Sequence, residues 1–246
     1  MALQPWRKGI VVRIEDATYN TRRFWIQIPE LSSFDFIPGQ FVTLDLPISD
    51  KPNKRWRSYS IASTPDGSNI IELVIVLLEN GAGTHYLFNE IKVGAELTLR
   101  GPQGVFTLPQ SIEKDLFFIC TGTGIAPFRS MLHYIHNHQV PHKDIFLIFG
   151  TRTTKDLLYH DELKELESRI QGFQFIPTLS REQWDGCCGY VHAVYERLIQ
   201  DKKNGHDELP PAEFMLCGWR AMVDEAKQRI TSMGYDKKAV HLELYG

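Results

Sequence analysis

Apolar positions in the first hundred residues fall into short runs that alternate with polar ones, at 10–14, 24–28, 41–46, 58–62, 71–78 and 96–100. A period of two buries one face of a strand and wets the other. Turn formers separate the runs, as in Pro38-Gly39, Pro65-Asp66-Gly67 and Val93-Gly94. That spacing predicts a closed antiparallel barrel. After Gly101-Pro102-Gln103-Gly104 the pattern changes, and apolar strand runs at 116–120, 144–150, 173–179, 214–217 and 240–244 alternate with stretches of helical period at 127–137, 160–170, 191–200 and 222–233. Strands alternating with helices predict a parallel, doubly wound sheet. The expected architecture is therefore β + α/β in two domains. An antiparallel Greek-key β-barrel over residues 1–110 precedes a five-stranded parallel sheet over 111–246.

The 246 residues are enough for two modest domains, and the net charge of −3 argues against a polyanion such as nucleic acid as the main partner. The segment from Met1 to Lys8 lacks an apolar signal core, and no apolar run approaches the roughly 20 residues needed to span a bilayer. The expectation is a cytoplasmic protein with no membrane segment. The four cysteines, Cys120, Cys187, Cys188 and Cys217, do not form the Cys-x4-Cys-x2-Cys run of a plant-type iron–sulfur cluster, and are expected as reduced thiols. The histidines His133, His136, His138 and His142 match no zinc spacing, so no metal is expected. Asp201-Lys202-Lys203-Asn204-Gly205 reads as an exposed loop.

Arg57-Ser58-Tyr59-Ser60 falls on a predicted strand, so Arg57 and Tyr59 share one face while Ser58 and Ser60 share the other. A flavin dinucleotide site needs a cation for its diphosphate, a flat aromatic against its ring and a small hydrogen-bonding group at the ring edge. Arg57, Tyr59 and Ser60 are of those three types. Further on, Cys120-Thr121-Gly122-Thr123-Gly124-Ile125-Ala126-Pro127 follows a strand and opens a helix, where free N–H groups and the helix dipole favour a phosphate. As a generic dinucleotide fingerprint it is defective, with Pro127 in place of the third glycine. Pro127 suits a first helical turn instead.

With Arg-x-Tyr-Ser followed by Gly-Thr-Gly-Ile-Ala-Pro and then Cys217-Gly218-Trp219-Arg220-Ala221-Met222, in this order, the chain resembles the ferredoxin–NADP reductase family. The resemblance implies FAD and NADP as cofactors. It assigns the flavin pyrophosphate to Arg57, ring stacking to Tyr59 and a hydrogen bond near flavin N5 to Ser60, with Ser58 between them. Val74, Ile75, Val76 and Leu77 would line the flavin, and Ala82-Gly83-Thr84 would form the turn that cradles the diphosphate. Missing Cβ atoms at Gly81 and Gly83 suit such a turn. Thr123 would approach the flavin while Gly122 and Gly124 receive the dinucleotide. Cys217 would lie beside the reacting nicotinamide carbon and shape its approach, with Gly218 and Met222 completing that segment.

Thr151-Arg152 and Ser180-Arg181 end two strands at the edge where ligands of open α/β sheets bind. A 2′-phosphate needs cations and hydroxyls, which these residues supply, so NADP is read in preference to NAD. Bacterial members often place an arginine after the glycine near this point. Here Gly189 is followed by Tyr190, an aromatic able to stack on adenine, and Glu182 lowers the local positive potential. Glu243-Leu244-Tyr245-Gly246 resembles a family tail that sets an aromatic against the flavin; Tyr245 takes that place, but glycine is last. Glu243 either supports proton movement or caps the sheet.

The activity so implied is electron transfer between NADPH and an acidic one-electron carrier, ferredoxin or flavodoxin, by a monomeric enzyme. Lys51, Lys54, Arg55, Arg22 and Arg23 would steer such a carrier if they surround an exposed flavin edge. A free-flavin reductase, or the reductase component of an oxygenase, remains the alternative, and a non-enzymatic redox sensor is a third reading.

Overall fold

A computed structural model describes residues 4–203 and 208–245. Met1 to Leu3, Asn204 and Gly205 of the expected loop, and the terminal Gly246 lie outside the described residues. The chain forms two compact units: Met1–Leu108 with Ala126–Tyr134, and Pro109–Ile125 with Ile135–Gly246.

In the first unit β1 (Trp6–Thr18), β2 (Thr21–Gln27), β3 (Phe41–Asp45), β4 (Trp56–Ser60), β5 (Ile70–Val76) and β6 (Glu96–Gln103) make an antiparallel sheet in the order β4-β3-β6-β1-β2-β5. Its inward residues pack a core that includes Phe24, Ile26, Val42, Leu44, Leu73 and Leu99. The sheet closes where its two edge strands touch, through the Ile61–Leu73 bridge and the Ala62 N–H to Glu72 C=O bond of 2.8 Å. Strand β1 runs on past the predicted residue 14 because its polar end finds opposite charges across the ladder: Glu15 faces Arg23, and Asp16 faces Arg22.

Two helices in this unit were not predicted. One-turn α1 (Pro52–Arg55) starts on proline, and α2 (Ala82–Asn89) packs Leu87, Tyr86 and Phe88 against the barrel core. The segment read as a cradling turn, Ala82-Gly83-Thr84, is thus the first turn of a helix.

The second unit is built on β7 (Asp115–Thr121), β8 (Ile145–Thr151), β9 (Phe173–Leu179), β10 (Cys187–Cys188), β11 (Ala212–Trp219) and β12 (Val240–Tyr245), all parallel, in the order β10-β9-β8-β7-β11-β12. Among the described residues six strands replace the five expected; the extra one, β10, has two residues. Helices α3 (Ala126–His138), α4 (His160–Arg169), α5 (Val191–Lys203) and α6 (Arg220–Ser232) alternate with the strands. On one sheet face Phe117 stacks on Phe146 and Phe214 from the adjoining strands, at centroid distances of 4.8 and 5.1 Å. Aromatic residues in register across three strands bury the middle strands of the sheet on that face. Among the described residues no helix is long and apolar enough to cross a membrane.

Candidate functional site

The closure of the barrel leaves a seam. Strand pairing between β4 and β5 stops at Ile61 and Leu73, so going back along β4 through Ser60, Tyr59 and Arg57, and forward along β5 through Val74 to Leu77, the two edges run side by side without a ladder among the described residues. The residues singled out on Arg-x-Tyr-Ser and those singled out at 74–77 are the two lips of this seam. Arg57 and Tyr59 stand opposite Leu44 and Val42 in the register and so face the barrel interior, while Ser58 shares a 3.0 Å hydrogen bond with Thr43 on the other side. Ser60 is buried. Burial pushes the Tyr59 phenol up to about 12 despite the opposing charge of Arg57, so it stays neutral and a hydrogen-bond donor at physiological pH.

Helix α2 begins against Arg57. A Cβ placed on Gly83 would lie 3.0 Å from Arg57 Cγ and 3.2 Å from Nε, so the glycine lets the helix start close against the guanidinium stem without displacing it. Gly81, at the N-cap, supplies no side-chain acceptor for the first-turn N–H groups. Thr84 spends its hydroxyl on the turn itself, accepting from Leu78 N–H (3.1 Å) and donating to Gly81 C=O (3.0 Å). A helix N-terminus and an arginine converging on one spot form a donor set that suits a diphosphate. The guanidinium is braced from behind, with Nη1 donating to the Lys54 and Trp56 carbonyls at 3.0 and 2.8 Å. The seam, the neutral aromatic and this donor set fit FAD.

In the second unit the predicted dinucleotide residues all lie at the carboxyl edge of the sheet. The chain leaves β7 in one direction for β8, β9 and β10, and returns on the other side for β11 and β12, so the topological switch point lies between β7 and β11. A 3-10 turn, Gly122–Ile125, follows β7 there and opens α3. Gly124 is packed so tightly that a Cβ on it would stand 2.4 Å from the Cys217 carbonyl oxygen and 2.8 Å from its carbon. Gly218, at φ +148°, would bring a Cβ to 2.4 Å from Thr121 Oγ1 and 3.1 Å from Met222 Cε. Thr121 Oγ1 is itself buried with no hydrogen-bond partner among the described residues. A pair of glycines that pinch the switch point and an orphaned hydroxyl beside them fit a polar ligand that bonds there.

From β9 to β11 is three strand spacings of about 4.8 Å, or about 14 Å in all, with the β7 turn between the two ends. On the far side, Thr151 ends β8, and Ser180 and Arg181 follow β9. Ser180 N–H and Oγ donate to the Thr151 carbonyl at 3.0 and 3.2 Å, and Arg181 N–H donates to the Arg152 carbonyl at 2.9 Å. Both arginines and Tyr190 are exposed.

On the near side Cys217 is fully buried beside Cys120. Burial raises the Cys217 thiol well above its ordinary range, and the Glu243 carboxylate raises it further, opposed by a hydrogen bond with Tyr245. The Cys217 thiol faces Glu243 Oε2 at 4.0 Å. A neutral buried thiol is no nucleophile. Glu243 and Tyr245 stand opposite Cys217 and Trp219 in the β11–β12 register, which brings the C-terminal residues singled out in the sequence to this end.

Some expected roles change. Arg22 and Arg23 are drawn into ion pairs, Arg22 with Asp16 (2.8 Å) and Arg23 with Glu72 (2.6 Å), and Arg55 pairs with Asp45 (2.7 Å). Of the five cations suggested for steering a carrier, Lys51 and Lys54 remain as exposed charges next to β4. Sequence reading missed Leu78, whose N–H ties the α2 start to Thr84, and Thr154, which binds Glu182 as described below; neither has a motif to announce it.

A barrel with such a seam, followed by a parallel sheet with a pinched switch point, defines an oxidoreductase that uses FAD and a nicotinamide dinucleotide. Residues 8–108 match the family model of the oxidoreductase FAD-binding domain, and residues 118–228 that of the oxidoreductase NAD-binding domain. The chain is 36% identical over 217 residues to ferredoxin–NADP reductase B of Sorangium cellulosum, covering 87% of this chain and 86% of that one. It is 35% identical over 199 residues to the anthranilate 1,2-dioxygenase electron transfer component of Acinetobacter baylyi, covering 80% of this chain and 54% of that one, so it spans about half the length of this relative. A solved ferredoxin–NADP+ reductase from Neisseria gonorrhoeae, with bound FAD and NADP, superposes with a TM-score of 0.80 at 26% identity, over 97% of this chain and 98% of that one. The chain belongs to the ferredoxin–NADP reductase family.

Proposed function

We propose that this chain oxidises NADPH and passes the electrons singly to an acidic carrier protein, ferredoxin or flavodoxin. FAD, when bound, matches a two-electron donor to one-electron acceptors. The residues of the chain do the rest: Arg57 and the start of α2 hold a diphosphate, Tyr59 and Ser60 bind and orient a flavin ring, and Val74 to Leu77 give it a backbone edge. Gly122 to Gly124 and Gly218 seat the dinucleotide diphosphate, Thr123 borders that turn, and Tyr190 offers a face for adenine. Cys217 and Met222 exclude water around the nicotinamide. Burial keeps the Cys217 thiol neutral, and Glu243 adds to that effect. The FAD domain is assigned to 1–110 and the NADP domain to 111–246.

The observation that carries the NADP reading is the pair of exposed arginines, Arg152 and Arg181, fixed side by side with Ser180 at the edge where ribose would lie. One charged hydrogen bond of ~1.5–3 kcal/mol gives roughly a tenfold to hundredfold preference. Exposed Lys51 and Lys54 beside β4 support an acidic partner.

A second reading, the reductase component of an oxygenase, is favoured by the likeness to the dioxygenase component. Steady-state assays with NADPH against ferredoxin, flavodoxin and free FMN, at low and moderate salt, separate the readings. Carrier reduction should exceed FMN reduction and fall as salt rises. FMN as the preferred acceptor, or NADH used as efficiently as NADPH at equal low concentrations, would remove the proposal.

A further inference from the structure

We infer that Glu182 is a positioning residue that holds the phosphate-binding arginines in place, and not an acid that selects NAD. The inference rests on the NADP reading above and concerns how that site is kept in shape. An acidic residue beside the ribose end of a dinucleotide site ordinarily accepts from the ribose hydroxyls and repels a 2′-phosphate. Here both carboxylate oxygens of Glu182 are turned to the neighbouring loop: Oε2 accepts from Thr154 N–H at 2.8 Å, and Oε1 accepts from Thr154 Oγ1 at 3.0 Å.

Thr154 is itself held. It opens the single turn Thr154–Asp156, which Thr153 and Asp156 close with a reciprocal cap, Asp156 Oδ2 accepting from Thr153 N–H (3.0 Å) and Thr153 Oγ1 (2.7 Å). The parallel ladder of β8 and β9 is thereby extended past its last strand residues by three successive ties: Ser180 to Thr151, Arg181 to Arg152, and Glu182 to Thr154. Arg152 and Arg181 themselves make the second tie, flanked by the first and the third, and both side chains are exposed. Their guanidinium groups thus start from two backbones of fixed separation. A phosphate that bridges them orders less chain on binding than it would on two loose loops.

The test uses the intact FAD-loaded protein and calorimetric binding of 2′,5′-ADP and of 5′-AMP, which differ only in the 2′-phosphate. Glu182→Ala should weaken 2′,5′-ADP about fivefold to tenfold, the loss of one or two loop-ordering hydrogen bonds, and leave 5′-AMP unchanged. Glu182→Gln should restore wild-type affinity to within about twofold, because an amide oxygen still accepts from Thr154 N–H. Thr154→Val, which keeps the N–H and loses the hydroxyl, should fall between. In turnover the Ala variant should raise KM for NADPH at constant kcat. Tightening of 2′,5′-ADP in both Glu182 variants would show a repelling charge and overturn the inference, as would equal weakening of 5′-AMP. Tight wild-type binding of 2′,5′-ADP that no variant alters would also overturn it while leaving the NADP reading intact. No preference of the wild type for 2′,5′-ADP over 5′-AMP would remove both.

Discussion

Replacing Glu72 by alanine should destabilise the barrel unit by about 3–5 kcal/mol, the range found when one partner of a buried ion pair is deleted. Glu72 lies on β5 with a side chain only 3% exposed, between two guanidinium groups. Arg23 reaches it from β2 at 2.6 and 3.2 Å, and Arg129 from α3 at 3.1 Å while also donating to the Ala62 carbonyl at 2.7 Å. Removing the carboxylate leaves two like charges in a poorly hydrated space, with the more distant Glu15 carboxylate, 3.7 Å from Arg23, and the Ala62 carbonyl, 2.7 Å from Arg129, in its place. For a chain of this size the loss corresponds to a fall in melting temperature of roughly 6–20 °C. Glu72 immediately precedes Leu73, the last paired residue before the seam, so flavin release should accompany the destabilisation. Thermal unfolding followed by circular dichroism and by flavin fluorescence checks both. A shift within about 0.5 kcal/mol, the range of an ordinary surface substitution, would show that the pair contributes nothing.

The second large effect is expected from Gly124→Ala. The added methyl would meet main-chain atoms, the Cys217 carbonyl oxygen at 2.4 Å, its carbon at 2.8 Å and Gly218 Cα at 3.1 Å, and a main chain in the middle of a sheet cannot rotate away as a side chain can. Overpacking of this kind costs about 1–3 kcal/mol. Its functional effect should exceed its stability effect, because relief requires the Gly122–Ile125 turn to withdraw from β11, and a displacement of ~1 Å in a positioning element is enough for ~100-fold in rate. The variant should therefore lose about 100-fold in kcat/KM for NADPH with ferricyanide as acceptor, and still purify with flavin, since none of the seam residues is touched. Wild-type turnover would show that the turn does not seat the dinucleotide.

Much of this architecture was legible in the sequence because alternation and helical period report burial directly. The six barrel strands and the five long parallel strands follow from where Val, Ile, Leu and Phe recur. The exceptions share a cause: their structure comes from neighbours, not from their own residues. Helix α2 contains Gly83 and follows Glu79-Asn80-Gly81, so it reads locally as a turn; it is helical because Leu87 and its flanking aromatics have a barrel to pack against. Strand β10 has only Cys187 and Cys188, too short for any period, and exists by pairing with Thr178 and Leu179. The seam between β4 and β5 is a property of register, which no local pattern encodes. The motifs showed which residues matter on each lip, but not that they are lips of one opening. Charge is the least legible: Arg22, Arg23 and Arg55 read as free cations until their acidic partners come close in space, and Glu182 reads as a repelling charge until Thr154 is seen to hold it.

The most direct test of the account is anaerobic titration of the purified protein with NADPH, followed by the visible flavin spectrum. One FAD per chain should be present as isolated or taken up on addition, and about one equivalent of NADPH should bleach it. A colourless protein that binds no FAD supplied in excess, or a bound flavin that NADPH leaves oxidised, would contradict it.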